Sequence, residues 1–260
     1  KQGPRSLRQG LKNLCVDEDR FQHLYDLGDM CCINEDLEQA QKALAYGVRR
    51  LIEKNYLPVV LGGGHETAWG HYLGLESFWS KKTLGMINFD AHFDLRPLVD
   101  GQWASSGTPF KQIADLCQQQ QREFHYSCVG IQPYGNTNSL FQQADRLGVS
   151  YATAQSIHQQ GSEHVKEMLD SMLDKVDGIY LSVCLDVFSS SFAPGVSAPQ
   201  PFGLSPQQVL PLLKMIVQSE KLVSVDFVEL SPTHDQDNKT CALASQMLAQ
   251  VMDWYLEGKS

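Results

Sequence analysis

Three groups able to hold a cation stand at alternate positions in Ile87-Asn88-Phe89-Asp90-Ala91-His92-Phe93-Asp94: Asp90, His92 and Asp94. Side chains two apart on an extended segment point the same way. The three are therefore expected to converge just past a buried strand built on Leu84, Met86, Ile87 and Phe89. Two carboxylates and an imidazole lone pair aimed at one point repel each other unless a cation sits between them. Oxygen and imidazole donors suit Mn²⁺, Fe²⁺ or Zn²⁺ better than Ca²⁺. The same pattern also fits a strand end whose acids cap a helix or face water, so the rest of the chain decides.

The elements around this stretch alternate. Pro4 suits a first helical position, and Leu7, Leu11 and Leu14 follow at helical spacing. Residues 24–32 read as a short strand, and Asn34 as the cap of a helix with Leu37, Leu44, Val48 and Leu51 on one stripe. Arg49 and Arg50 fall on its solvated side. Leu57-Pro58-Val59-Val60-Leu61 predicts a buried strand that runs into Gly62-Gly63-Gly64-His65, with a helix over 66–78. That glycine loop lacks the Lys and Ser/Thr of a phosphate loop. Strands are expected at 125–131, 149–152, 178–186 and 222–229, with helices between them and a final amphipathic helix over 238–256. The proline- and glycine-rich stretch from Pro194 to Gly203 is a long loop, and loops of that length in a compact domain are usually functional.

Strands alternating with helices predict one α/β domain over 1–260: three layers, α/β/α, around a mostly parallel sheet. Ligands of such sheets bind beyond the carboxyl ends of the strands. His65, Asp90, His92, Asp94, Asp186 and Glu229 all fall at expected strand exits. Six chemically suitable residues on one edge point to a site.

The chain of 260 residues is 42% hydrophobic, enough for a full core. Its formal charge of -9 argues against nucleic acid or an anionic membrane surface as the main partner. No apolar run is long enough to span a bilayer, and no secretory leader pattern opens the sequence. The seven cysteines are scattered without framework spacing, as expected of a cytoplasmic protein with reduced thiols. The chain starts at Lys1 without a methionine, and an N-terminal portion is expected to be missing.

Gly62-Gly63-Gly64-His65, Asp90-Ala91-His92-Phe93-Asp94 and Ser182-Val183-Cys184-Leu185-Asp186 resemble, in order, the three metal motifs of the ureohydrolase (arginase and agmatinase) family. The similarity runs from Gly3-Pro4 to the helix start at Asn238-Lys239-Thr240. Asp94-Leu95-Arg96-Pro97, Ser105-Ser106-Gly107-Thr108-Pro109-Phe110 and Ala193-Pro194-Gly195-Val196-Ser197-Ala198-Pro199 look most like formimidoylglutamases. Those enzymes hydrolyse N-formimidoyl-L-glutamate to L-glutamate and formamide in histidine degradation.

The resemblance implies an arginase-like fold and two Mn²⁺ per chain. His65 and Asp94 bind one ion, His92 and Asp186 the other, and Asp90 bridges them. Two cations sharing one water lower its pKa, so hydroxide attacks near pH 7. Asp94 or Asp186 then relays a proton to the leaving nitrogen, and Glu229 faces the cationic amidine. Arg96 is the expected anchor for the substrate's carboxylates, its alternative role being to neutralise the acid cluster.

Two departures stand out. Ser106 occupies the place of a histidine found in arginases and agmatinases. Cys184 replaces the second bridging aspartate. A thiolate bridges through one sulfur and favours softer ions than Mn²⁺. The expectation is therefore a second ion held weakly, or a mononuclear site beside an inert cysteine. Oxidation of Cys184 by Cys31 or Cys32, if their strand lies alongside, would empty the site. Hydrolysis of agmatine or a guanidino acid with release of urea, or a binding protein that has lost catalysis, are the other readings. Relatives commonly form homo-oligomers.

Overall fold

Ile87 and Phe89 leave their strand on one face and Leu84 and Met86 on the other, and each pair enters a different apolar core. Alternation along a strand buried on both faces is what divides the protein into layers. The computed structural model describes residues 2–16, 18–79 and 81–259. In chain order its elements are α1 (Gly3–Lys12), α2 (Glu18–Phe21), α3 (Leu37–Ile52), β1 (Val59–Leu61), α4 (Thr67–Trp79) and β2 (Leu84–Phe89). These are followed by α5 (Pro109–Gln119), β3 (His125–Ile131), α6 (Asn138–Arg146), β4 (Ser150–Thr153), α7 (Ala154–Gln160) and α8 (Glu163–Lys175). The last third holds β5 (Gly178–Cys184), α9 (Pro206–Gln218), β6 (Leu222–Val228) and α10 (Lys239–Glu257).

The six strands form one sheet in the order β1-β6-β5-β2-β3-β4, and every pairing is parallel. Helices α3 to α6 cover one face through Val48, Tyr72, Leu75, Phe110, Ile113 and Leu140. The other face packs on α1 and α7 to α10 through Leu7, Ile157, Leu169, Leu212, Ile216 and Met247. This is the expected three-layer α/β/α arrangement. Each fully buried side chain of that size contributes roughly 1.5–3 kcal/mol, so the strand ends are held from both sides.

Two local expectations fail. Residues 24–32 form no strand; they run irregularly over the surface, with Tyr25, Leu27 and Met30 exposed. Arg8 holds them through Asp26 (2.8 Å), Asp29 (2.6 Å) and the carbonyl of Gly28, which sits at φ 84°. A β-prone run becomes a strand only where its backbone pairs with a sheet edge, and this one makes no such pairing. Cys31 and Cys32 therefore do not lie on a strand next to Cys184; the neighbours of β5 are β2 and β6. At α3 the cap is Asp36, whose carboxylate accepts from Gln39 N at 3.0 Å, while Asn34 sits in a left-handed turn before it. Arg49 and Arg50 are exposed as expected and pair with Glu53.

Candidate metal centre

The carboxyl ends of β1, β2, β5 and β6 are adjacent, and each delivers its residues to the same place. After β1 the chain turns at Gly62, where a Cβ would stand 2.6 Å from Val228 Cγ1; only glycine allows that approach. The turn ends in His65, which is buried. After β5 comes a single turn of 3₁₀ helix carrying Asp186. After β6, Glu229 adopts φ 70° and directs its carboxylate back across the sheet edge.

The convergence of Asp90, His92 and Asp94 has a different cause from simple alternation. The chain bends out of the sheet after Phe89. Oδ1 of Asp90 accepts the backbone N–H of His92 at 2.7 Å, and Asp94 takes φ 50°. Asn136 pins the bend: its Oδ1 accepts from Phe93 N (3.0 Å) and its amide donates to Ala91 O (2.9 Å). Asn136 was legible in the sequence only as part of a turn.

Two donor sets result, and they share Asp90. On one side, Nδ1 of His65 lies 2.9 Å from Asp90 Oδ2 and 2.9 Å from Asp94 Oδ2. On the other, Nδ1 of His92 lies 3.1 Å from Asp186 Oδ2 and 3.4 Å from Asp90 Oδ1. Cys184 touches both sets. Its sulfur groups with His65 and Asp90, and its thiol donates to Asp186 Oδ1 at 3.0 Å. The structure thus brings together His65, Asp90, His92, Asp94, Cys184 and Asp186.

The donor set fits divalent cations on a specific observation. His65 Nδ1 is buried and within 3 Å of two carboxylate oxygens, yet it forms no hydrogen bond with either, because neither lies where an Nδ1–H would point. Ligand atoms packed around a common ion have that arrangement. Without a cation, the electrostatics are severe. Burial opposes charge on both imidazoles, but the facing carboxylates prevail: His65 is held above the ordinary range by Asp90 and Asp94, and His92 is raised to about 11 by Asp186 and Asp90. Burial and the neighbouring Asp90 push Asp94 up to about 7 and also raise Asp186. For Asp90 the two imidazoles outweigh burial and hold it below the usual carboxylate range. Burial first, then Asp186, Asp90 and Glu229, keeps Cys184 a thiol.

These groups floor a cavity of about 240 Å³. Glu229 lies on its edge, with Oε1 accepting from His65 N (2.8 Å) and Oε2 from Ser197 Oγ (3.0 Å). A carboxylate has about four lone-pair positions, so both oxygens retain capacity towards the cavity. Ser197 belongs to the long loop expected to be functional. Ser106 and Arg96 stand on the wall. Arg96 is exposed and makes no ion pair with any described carboxylate, so the neutralising role does not appear in the geometry.

Comparison with known proteins agrees with the geometry. A model of the arginase family matches residues 1–253. A formimidoylglutamase of Legionella pneumophila is 46% identical over 253 residues, covering 97% of this chain and 78% of the relative. The crystal structure of formimidoylglutamase from Bacillus subtilis superposes with a TM-score of 0.86 at 28% identity, covering 99% of this chain and 80% of that one. Arginase from Bacillus subtilis superposes at 0.83 and 26% identity, covering 96% and 91%. The chain belongs to the arginase family.

Proposed function

We propose that this protein hydrolyses N-formimidoyl-L-glutamate to L-glutamate and formamide, using two Mn²⁺ ions held at the ends of β1, β2 and β5. One observation carries the reading: the same cavity is lined by the carboxylates of Asp94, Asp186 and Glu229 and by one cationic side chain, Arg96. A substrate with an amidinium at one end and carboxylates at the other matches that polarity. The likeness to relatives named formimidoylglutamase supports it.

A divalent pair bound there supplies the Lewis acidity that makes water a competent nucleophile near neutral pH. His65 and Asp94 would hold one ion and His92 and Asp186 the other, and Asp90 and Cys184, which lie within reach of both sets, would complete the donors. Glu229 attracts the amidinium and sets its carbon over the floor, a positioning effect. Arg96 receives a substrate carboxylate bidentately. Asp94 and Asp186 both line the cavity, and either would relay a proton to the leaving nitrogen.

Ser106 lines the cavity; by its resemblance to arginases and agmatinases it takes the place of their histidine, so no histidine shuttle is available from that position. All seven cysteines are free, which supports a reducing, cytoplasmic setting. Among the described residues no helix is long and apolar enough to cross a membrane.

Incubating reduced, Mn²⁺-loaded protein with formimidoylglutamate, agmatine and a guanidino acid tests the reading. Formamide from the first substrate alone is expected. Urea from either of the others assigns the rival hydrolysis, and no product from any assigns a binding role.

A further inference from the structure

Beneath the metal centre lies a buried polar chain that none of the roles above uses. Register places Asn88, Ser182 and Asp226 in one row across β2, β5 and β6. All three are buried on the face covered by α4, whose buried His71 closes the row. Asp226 accepts from Tyr180 Oη, from Ser182 Oγ at 2.6 Å and from His71 Nδ1 at 2.8 Å. Ser182 Oγ in turn lies 2.9 Å from His65 Nε2.

The hydrogen atoms in this chain can be assigned by counting. An ionised carboxylate only accepts, so the single hydroxyl hydrogen of Ser182 goes to Asp226. Ser182 can then serve His65 Nε2 only as an acceptor, and Nε2 must carry a hydrogen. A neutral imidazole with its hydrogen on Nε2 leaves a lone pair on Nδ1, the atom that faces Asp90 and Asp94. We infer that Asp226 and Ser182 are positioning residues that hold His65 in the tautomer able to ligate metal through Nδ1. His71 and Tyr180 fix the carboxylate from the other side. Outer partners of this kind are worth 10- to 100-fold in metal affinity.

This inference rests on the reading of the site as a metal centre, and calorimetric titration of the metal-free protein with Mn²⁺ separates the two. Failure of the wild-type chain to bind Mn²⁺ overturns the metal centre itself. With binding established, Ser182→Ala is expected to weaken the step involving His65 by about 10- to 100-fold while leaving the other within a few-fold. Tyr180→Phe removes a different hydrogen bond from the same carboxylate and should leave both steps nearly unchanged. Equal losses in the two variants reduce Ser182 to a fold-supporting role and overturn the proposal.

A second arm reads the tautomer directly. In Asp226→Asn, with His71 still donating from Nδ1, the amide oxygen keeps Tyr180 and His71 as donors and the NH₂ turns to Ser182. The serine hydroxyl must then donate to Nε2, which forces the hydrogen onto Nδ1 and blocks the ligand. Affinity should fall by on the order of 100-fold or more. Adding Ser182→Ala to that variant frees the ring, so the double variant should bind Mn²⁺ more tightly than Asp226→Asn alone. A double variant that binds no better overturns the tautomer assignment.

Discussion

His65 Nδ1 and Asp90 Oδ2 lie 2.9 Å apart in the protein interior with no hydrogen bond between them. A buried nitrogen beside a carboxylate normally holds a hydrogen aimed at it, since an unmet buried polar group costs about 1–3 kcal/mol. Here the geometry reserves the space for a positive charge reached by several donors at once. The protein's own field makes a proton the competitor of that charge.

Metal binding should therefore release protons and strengthen as pH rises. His92 is raised to about 11 by Asp186 and Asp90, His65 is raised by Asp90 and Asp94, and Asp94 is held up to about 7. Filling both positions displaces the protons these groups hold, Asp94 contributing below pH 7, and ligation by the Cys184 sulfur releases one more. Calorimetry at pH 6 and pH 8, in buffers of different ionisation heat, measures this count. Uptake of Mn²⁺ without proton release would contradict the assignment.

Cys184 should make one of the two ions the weaker. A buried thiol must lose its proton to ligate, and its sulfur favours Zn²⁺ over Mn²⁺. Cys184→Asp is expected to tighten the weaker Mn²⁺ step by roughly tenfold and to lower the preference for Zn²⁺. Two equally tight Mn²⁺ ions in the reduced wild-type protein would sink the idea.

Arg96→Gln should raise KM for formimidoylglutamate about 10- to 100-fold, the loss of one charge-assisted bidentate contact of about 1.5–3 kcal/mol. Metal content should not change, because Arg96 stands on the wall of the cavity. Lost metal would instead assign it the charge-balancing role. Steady-state kinetics alongside elemental analysis distinguishes the two.

Gly135 packs against the ring of His92, where an added Cβ would lie 3.3 Å from both Cδ2 and Nε2. Gly135→Ala is expected to tilt that imidazole away from Asp186 and weaken the His92 step several-fold, leaving the His65 step intact. Thermal unfolding of the metal-free variant should stay within about 1 kcal/mol of wild type, since overpacking at the edge of a cavity is relieved outward. Mn²⁺ titration of the variant reads the asymmetry.

The sequence by itself determined the sheet, its layers and which residues are the candidate ligand groups. Period-2 and period-3.6 patterns report which face of each element is buried, and the abrupt change from Phe89 to Asp90 or from Val228 to Glu229 marks a strand exit without any knowledge of neighbours. Only the tertiary structure decided how those exits are used. The stretch 24–32 has the composition of a strand but pairs with no sheet edge, and Arg8 holds it instead. The convergence of Asp90, His92 and Asp94 depends on a bend pinned by Asn136, 43 residues from Phe93. The chain from His71 through Asp226 and Ser182 to His65 spans positions up to 155 apart in sequence. Strand order and register bring such groups together, and those are properties of long-range pairing that no local pattern encodes.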